Sequence, residues 1–109
     1  MMKESKPGPA TKYVSRLLLL LSSTEPSEIT ITQSRGLPEF SDFDNSDING
    51  YAQVRNRLKV MARLTPMKYQ APVSGQFVFW IDRHEYSAEV QFHDMEVDPW
   101  LQLRRIERT

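Results

Sequence analysis

The sequence predicts an α+β two-layer domain, in which two helices pack on a mainly antiparallel sheet that ends in a three-stranded meander. Apolar residues recur at helical spacing in two segments, and they alternate with polar residues in four others. The last three alternating segments are separated by short turns only, which favours antiparallel neighbours. Two amphipathic helices are enough to cover one face of such a sheet, so we expect two layers around one core.

Both helices are predicted from apolar stripes and stop signals. The first begins at Tyr13, and the polar and proline-containing residues 22–26 end it. The second is predicted over residues 51–64, with Asn49 as a helix cap and Thr65-Pro66 as its end. Its apolar stripe consists of Tyr51, Val54, Leu58, Met61 and Leu64. We expect Leu58 and Met61 in the core.

The strands are predicted from alternation. Glu28–Thr32 should place Ile29 and Ile31 on the core face. Further strands are predicted over residues 76–82, over 86–92 and from Trp100 to Ile106, with a hairpin loop at residues 82–85 between the first two of these. The last strand has the pattern of an edge or closing strand. Trp80 is expected in the core.

The domain boundaries follow from composition. Residues 1–12 are expected to be a disordered tail and residues 13–109 one domain, because a chain of 109 residues has the length of a single domain. Between the first strand and the second helix, Gly36 to Asn49 predicts a long loop of unpredictable conformation. Its apolar anchors are Leu37, Phe40, Phe43 and Ile48.

Charge and composition exclude several classes of function. Basic and acidic residues are equally numerous, 14 of each, so we expect no binding to nucleic acid. The apolar run from Leu17 to Leu21 is too short for a membrane span, and no cleavage pattern follows it. Cysteine is absent, which excludes disulfides and thiol catalysis. A cytoplasmic protein without direct membrane insertion is therefore expected.

No catalytic or metal motif is found in the sequence. None of the four glycines precedes a lysine, so there is no phosphate-binding loop. The segment from Asn45 to Gly50 mimics part of a calcium loop, but Asn56 stands where a bidentate glutamate is needed. His84 and His93 have no second histidine at ligand spacing. We therefore expect a protein that is not an enzyme and has no cofactor or metal.

Two features are candidates for binding a protein partner. Arg55, Lys59 and Arg63 recur every four residues along the second helix. They form either a solvated face balanced by the acidic loop before it, or a basic ridge that docks on an acidic partner surface. Trp100, at the start of the last strand, is a candidate interface anchor.

Residues 57–64, Arg-Leu-Lys-Val-Met-Ala-Arg-Leu, and residues 72–77, Pro-Val-Ser-Gly-Gln-Phe, resemble a block of the type II secretion and type IV pilus assembly ATPases. In that family an Arg-Leu-Lys-Val-Met-Ala helix leads into a Pro-Gln-Asp-Gly-Arg turn and a three-stranded meander. Residues 27–32 resemble the family's Ser-Asp-Ile-His-Ile-Glu strand, and Arg105-Ile106 its closing Arg-Ile. The resemblance implies a PAS-like domain of the kind that precedes the ATPase core.

The departures from the family bear on function. Thr30 and Thr32 occupy the positions of the His and Glu in the family's first strand. Gln76 and Glu89 occupy positions at which the family has arginines that face the nucleotide. The family's Arg-Phe-Arg-Ile-Asp-Gly strand has no counterpart. The resemblance therefore implies a non-catalytic interaction module that docks on an ATPase core or an inner-membrane assembly component. The alternatives are the amino-terminal fragment of a full secretion ATPase and a small-molecule sensor domain.

Overall fold

The structure is a computed structural model that describes residues 8–23, 27–40, 50–65 and 72–106. Its elements, in chain order, are α1 (Pro9–Ser22), β1 (Glu28–Thr32), α2 (Tyr51–Met61), β2 (Val73–Ile81), β3 (His84–His93) and β4 (Trp100–Ile106). Two helices and a four-stranded antiparallel sheet make a two-layer α+β domain, so the predicted fold class is confirmed. No helix in the described ranges has the length and apolar character to cross a membrane.

Helix α1 begins earlier than predicted, at Pro9, with Gly8 as its N-cap. The first turn of the helix therefore lies within residues 1–12, which were predicted to be tail; residues 1–7 are outside the described ranges. The tail was predicted because glycine and proline in residues 1–12 are typical of a segment without regular structure. At the first helical position, however, proline is favoured because its missing N–H would have no helical acceptor.

Helix α2 ends at Met61, and the chain turns through Ala62 and Arg63, which has a positive φ of 60°. The helix is thus shorter than the predicted 51–64. Its N-cap is Gly50, at φ 86°, a backbone conformation that glycine adopts without strain. The predicted cap, Asn49, lies outside the described residues.

The sheet has the strand order β1-β4-β3-β2. Strands β2, β3 and β4 form the predicted meander, but of the two alternatives for the last strand, edge or closing strand, the edge position is wrong. Strand β4 lies between β1 and β3, and the edges are β1 and β2. The pairing with β1 places Ile29 opposite Leu103 and Ile31 opposite Leu101, so four apolar side chains enter the core together.

The core lies between the helices and one face of the sheet. From the helices it takes Tyr13, Val14, Leu17, Leu18, Leu21, Tyr51, Val54 and Leu58, and from the sheet Ile29, Ile31, Phe77, Phe79, Ala88, Val90, Phe92, Leu101 and Leu103. The prediction that Leu58 is core is confirmed, and Met61 packs against the cluster while partly buried. Of the predicted loop anchors, Leu37 and Phe40 also pack on this core; Phe43 and Ile48 are outside the described residues.

The end of α2 rests directly on strand β2 at Gly75. A Cβ atom at this glycine would lie 2.8 Å from the Ala62 Cβ and 3.0 Å from the Ala62 carbonyl oxygen. Only glycine leaves room for this approach. Gly75 thus sets the distance between the helix and the edge of the sheet.

Strands β2 and β3 are joined by the two-residue turn Asp82-Arg83, and both residues have positive φ, 48° and 68°. Such turns match the twist of a hairpin. The predicted loop over residues 82–85 was therefore too long: His84 and Glu85 already belong to β3, where they pair with Ile81 and Trp80.

Candidate protein-interaction surface

Both helices cover the same face of the sheet, and no described element covers the other, which we call the outer face. Three neighbouring cross-strand rows on this face are Thr32, Trp100, His93; then Thr30, Gln102, Gln91, Ser74; then Glu28, Arg104, Glu89, Gln76. Most of these side chains are polar. The outer face therefore differs in chemistry from the apolar face under the helices.

An aromatic pair lies at one end of the outer face. The rings of His93 and Trp100 are cross-strand neighbours and stack with their centroids 3.8 Å apart at 8°. Both residues are partly exposed. Trp100, predicted as an interface anchor, thus lies on an interior strand with one ring face covered by His93.

The third row brings together two of the positions at which the sequence departs from the family it resembles. Gln76 and Glu89 are directly opposite each other, and Arg104 is opposite Glu89 on its other side. A guanidinium N–H of Arg104 donates to Glu89 Oε1 at 2.9 Å. The negative charge of Glu89 is thereby compensated by Arg104, and this row presents no unpaired cation to a phosphate.

Strand β2 carries the most exposed apolar side chains of the sheet. Val78 is 48% exposed and Trp80 is 63% exposed. The prediction that Trp80 is core is wrong, because the alternation of β2 turns Phe77 and Phe79 inward and their neighbours outward. The sequence signal for this was available: Val78 and Trp80 are out of phase with the two phenylalanines.

A groove follows the same strand. It has a volume of about 520 Å³ and is lined by Met61, Arg63, Gln76, Phe77 and Val78. Residues from the end of α2 and from both faces of β2 thus border one groove. The groove, the side chains of Val78 and Trp80, and the lateral edge of β2 together are called the β2 edge below.

The predicted basic ridge on α2 does not form. Lys59 is fully buried and Arg55 is only 5% exposed, so neither can meet a partner as an exposed cation. Arg55 donates two hydrogen bonds to Asn56 Oδ1, at 3.0 and 3.1 Å. Only Arg63 of the three is exposed, and it lies beyond the end of the helix, where the four-residue spacing no longer applies.

Lys59 has a structural partner instead. Its ammonium group pairs with the buried carboxylate of Asp94, in the turn after β3, and lies 5.4 Å from the centre of the Phe92 ring. A lysine can be buried when its charge is compensated by an ion pair and an aromatic face. This pair ties α2 to the end of β3.

Two further polar groups serve the fold. A single Arg105 nitrogen, Nη1, donates to the carbonyl oxygens of Leu21, Ser22 and Ser23 at the end of α1. The Tyr13 hydroxyl donates to the Pro38 carbonyl, and burial raises the pKa of this hydroxyl above its usual range, so it stays protonated. Both contacts join α1 to distant parts of the chain.

Two further features bear on small ligands and metals. A second cavity, of about 140 Å³ and lined by Pro72, Val73, Ser74, Gln91 and His93, is smaller than the roughly 300–1,000 Å³ typical of ligand pockets, whereas the groove beside β2 has a volume within that range. Among the described residues no three His, Asp or Glu side chains are grouped to hold a metal ion. The segment that mimics a calcium loop is mostly outside these ranges.

A scan against protein-family models and a search of the curated proteins find no match for this chain. The resemblance to the secretion and pilus ATPases therefore stays a hypothesis that rests on the residues quoted above.

Proposed function

We propose that this chain is a non-catalytic protein-interaction module, related to the PAS-like domain of type II secretion and type IV pilus ATPases, which docks on an ATPase core or an inner-membrane assembly component. The observation that carries this proposal is the β2 edge. Val78 and Trp80 are exposed side by side on β2. The lateral edge of this strand, opposite β3, has no described strand beside it. Exposed aromatic side chains are typical anchors of protein interfaces.

The residues that carry the resemblance support the relation, because their contacts give them roles in the fold. Lys59 pairs with Asp94, Gly75 admits Ala62, and Arg105 caps α1. Each of these contacts uses a property of that residue type: the charge of lysine, the missing side chain of glycine and the N–H donors of arginine. A domain kept for its shape would retain these residues.

The chemistry of the outer face supports a role without nucleotide. A phosphate site needs cations or converging N–H donors. Gln76 is neutral, and Glu89 is an anion already paired with Arg104. The β2 edge offers exposed apolar side chains instead, and protein is the class of partner that such an edge favours.

We expect Val78→Lys and Trp80→Ser, made together, to weaken binding to the partner at least tenfold, because a charge and a lost aromatic contact at the centre of an interface cost about 2 kcal/mol or more. The measurement is titration calorimetry of the domain with two purified proteins from the same genome: the secretion ATPase core and the cytoplasmic part of the inner-membrane assembly protein.

The matched control is Val60→Lys. Val60 is 49% exposed, close to the 48% of Val78, but lies on α2. It should bind as the wild type does, and all three proteins should unfold at similar denaturant concentrations. Absence of binding between the wild-type domain and both proteins would reject the proposed partners. Equal weakening by the control would reject the β2 edge as the surface.

A further inference from the structure

Strand β2 has a long, regular lateral edge. It pairs with β3 over nine consecutive positions, from Val73 opposite Phe92 to Ile81 opposite His84, without a bulge. On its other side no described strand pairs with it. Alternate backbone N–H and C=O groups of such an edge point away from the sheet and can pair with another strand.

Within the described part of the chain, this edge lacks the features that usually prevent strand addition. Natural edge strands are short, bulged, or carry lysine, proline or inward-pointing charges. Strand β2, Val73–Ile81, contains no charged residue and no proline. The opposite edge, β1, has five residues and includes Glu28. Of the two edges of the sheet, β2 is therefore the one suited to pairing.

The groove beside β2 indicates the chemistry of the segment that would pair. Met61, Phe77 and Val78 give it apolar walls. Among the described residues that line it, Arg63 is the one charged residue; it is exposed and has no carboxylate partner in the same ranges. An acidic side chain would complement this cation, and apolar side chains would fill the rest.

We propose that an extended segment of a partner protein, with alternating apolar side chains and an acidic residue, adds to the sheet as a fifth strand along β2 and places its acid at Arg63. This inference rests on the proposed function in that it assigns the site of docking. A second copy of this chain fits less well. If all nine residues of two β2 strands paired antiparallel, the twofold axis between the two copies would pass at Phe77. The Arg63 side chains of both copies border that same stretch, so their charges would repel each other.

The test uses labelled nine-residue peptides that alternate valine and threonine, with glutamate at the centre. One matched peptide has lysine in place of the glutamate, and another is N-methylated at alternate residues. Fluorescence anisotropy is measured with wild-type domain, with Arg63→Glu and with the control Arg35→Glu, which lies in the turn after β1 at the opposite edge. Thermal unfolding of each variant checks that it is folded.

We expect the glutamate peptide to bind wild type about tenfold more tightly than the lysine peptide, Arg63→Glu to reverse this order, and Arg35→Glu to leave it unchanged. The N-methylated peptide should not bind, because its backbone cannot pair. Equal binding of the methylated peptide, or an order unaffected by Arg63→Glu, would overturn the proposal. Dimerisation that Val78→Lys abolishes would assign the edge to a second copy and would also overturn it.

The outcome separates this inference from the proposed function. Binding of the ATPase core without any peptide binding at millimolar concentration rejects strand addition and leaves the interaction module standing. Peptide binding with the predicted charge order, without binding of either secretion protein, supports the strand-addition site and rejects those two proteins as partners.

Discussion

Replacing Asp94 by alanine is expected to lower the free energy of unfolding by about 3–5 kcal/mol, because it leaves a buried lysine without its counter-charge. Both side chains of the Lys59–Asp94 pair are fully buried. In Asp94→Ala, Lys59 would stay buried without a counter-charge or would have to move toward water, and the ion pair that ties α2 to the end of β3 would be lost. The measurement is urea unfolding followed by circular dichroism.

The double variant Lys59→Met, Asp94→Ala is the matched control. Methionine keeps most of the volume of the lysine stem and removes the charge, so the double variant should recover much of the lost stability. A loss below about 1 kcal/mol for Asp94→Ala alone would show that the pair is not buried as described.

Replacing Leu58 by alanine is expected to cost about 2–5 kcal/mol, through lost transfer free energy and the cavity that remains. Leu58 lies on α2 and is fully buried. Alanine is itself a good helix former, so the loss reports packing and not helix propensity. Urea unfolding measures this change as well.

Leu19→Ala is the comparison for the same chemical change at the surface. Leu19 is 42% exposed on α1, and its replacement should cost less than about 1 kcal/mol. Similar losses for the two variants would mean that the apolar stripe of α2 does not face the core.

The element types could be predicted because they depend on local periodicity. The stripe that contains Leu58 and the alternation of Ile29 and Ile31 each identified an element and its buried face. The start of α1 was missed because a proline such as Pro9 is typical both of a disordered tail and of the first position of a helix. The local pattern did not distinguish these two.

The candidate site was harder to predict, because it depends on which strands become neighbours. Trp80 was expected in the core for its size, although its phase relative to Phe79 placed it outside. The position of β4 between β1 and β3 follows from pairing between distant segments, which spacing along the chain does not reveal.

The α2 cations show a second limit. Arg55, Lys59 and Arg63 have the spacing of an exposed ridge, yet the burial of Lys59 depends on Asp94, 35 residues away. Charge compensation by a distant residue cannot be predicted from one helix. Arg63 remains a predicted partner contact, and Trp100 remains one through its exposed ring face on the outer face of the sheet.

The central claim is that a partner docks at the β2 edge, and amide hydrogen exchange of the domain with and without the secretion ATPase core tests it most directly. We predict that, on binding, exchange becomes slower for those backbone amides of β2, Val73–Ile81, that point away from β3. Exchange should be unchanged for β1, Glu28–Thr32, at the opposite edge of the sheet. Slower exchange in β1 or in α1, with β2 unaffected, would contradict the claim.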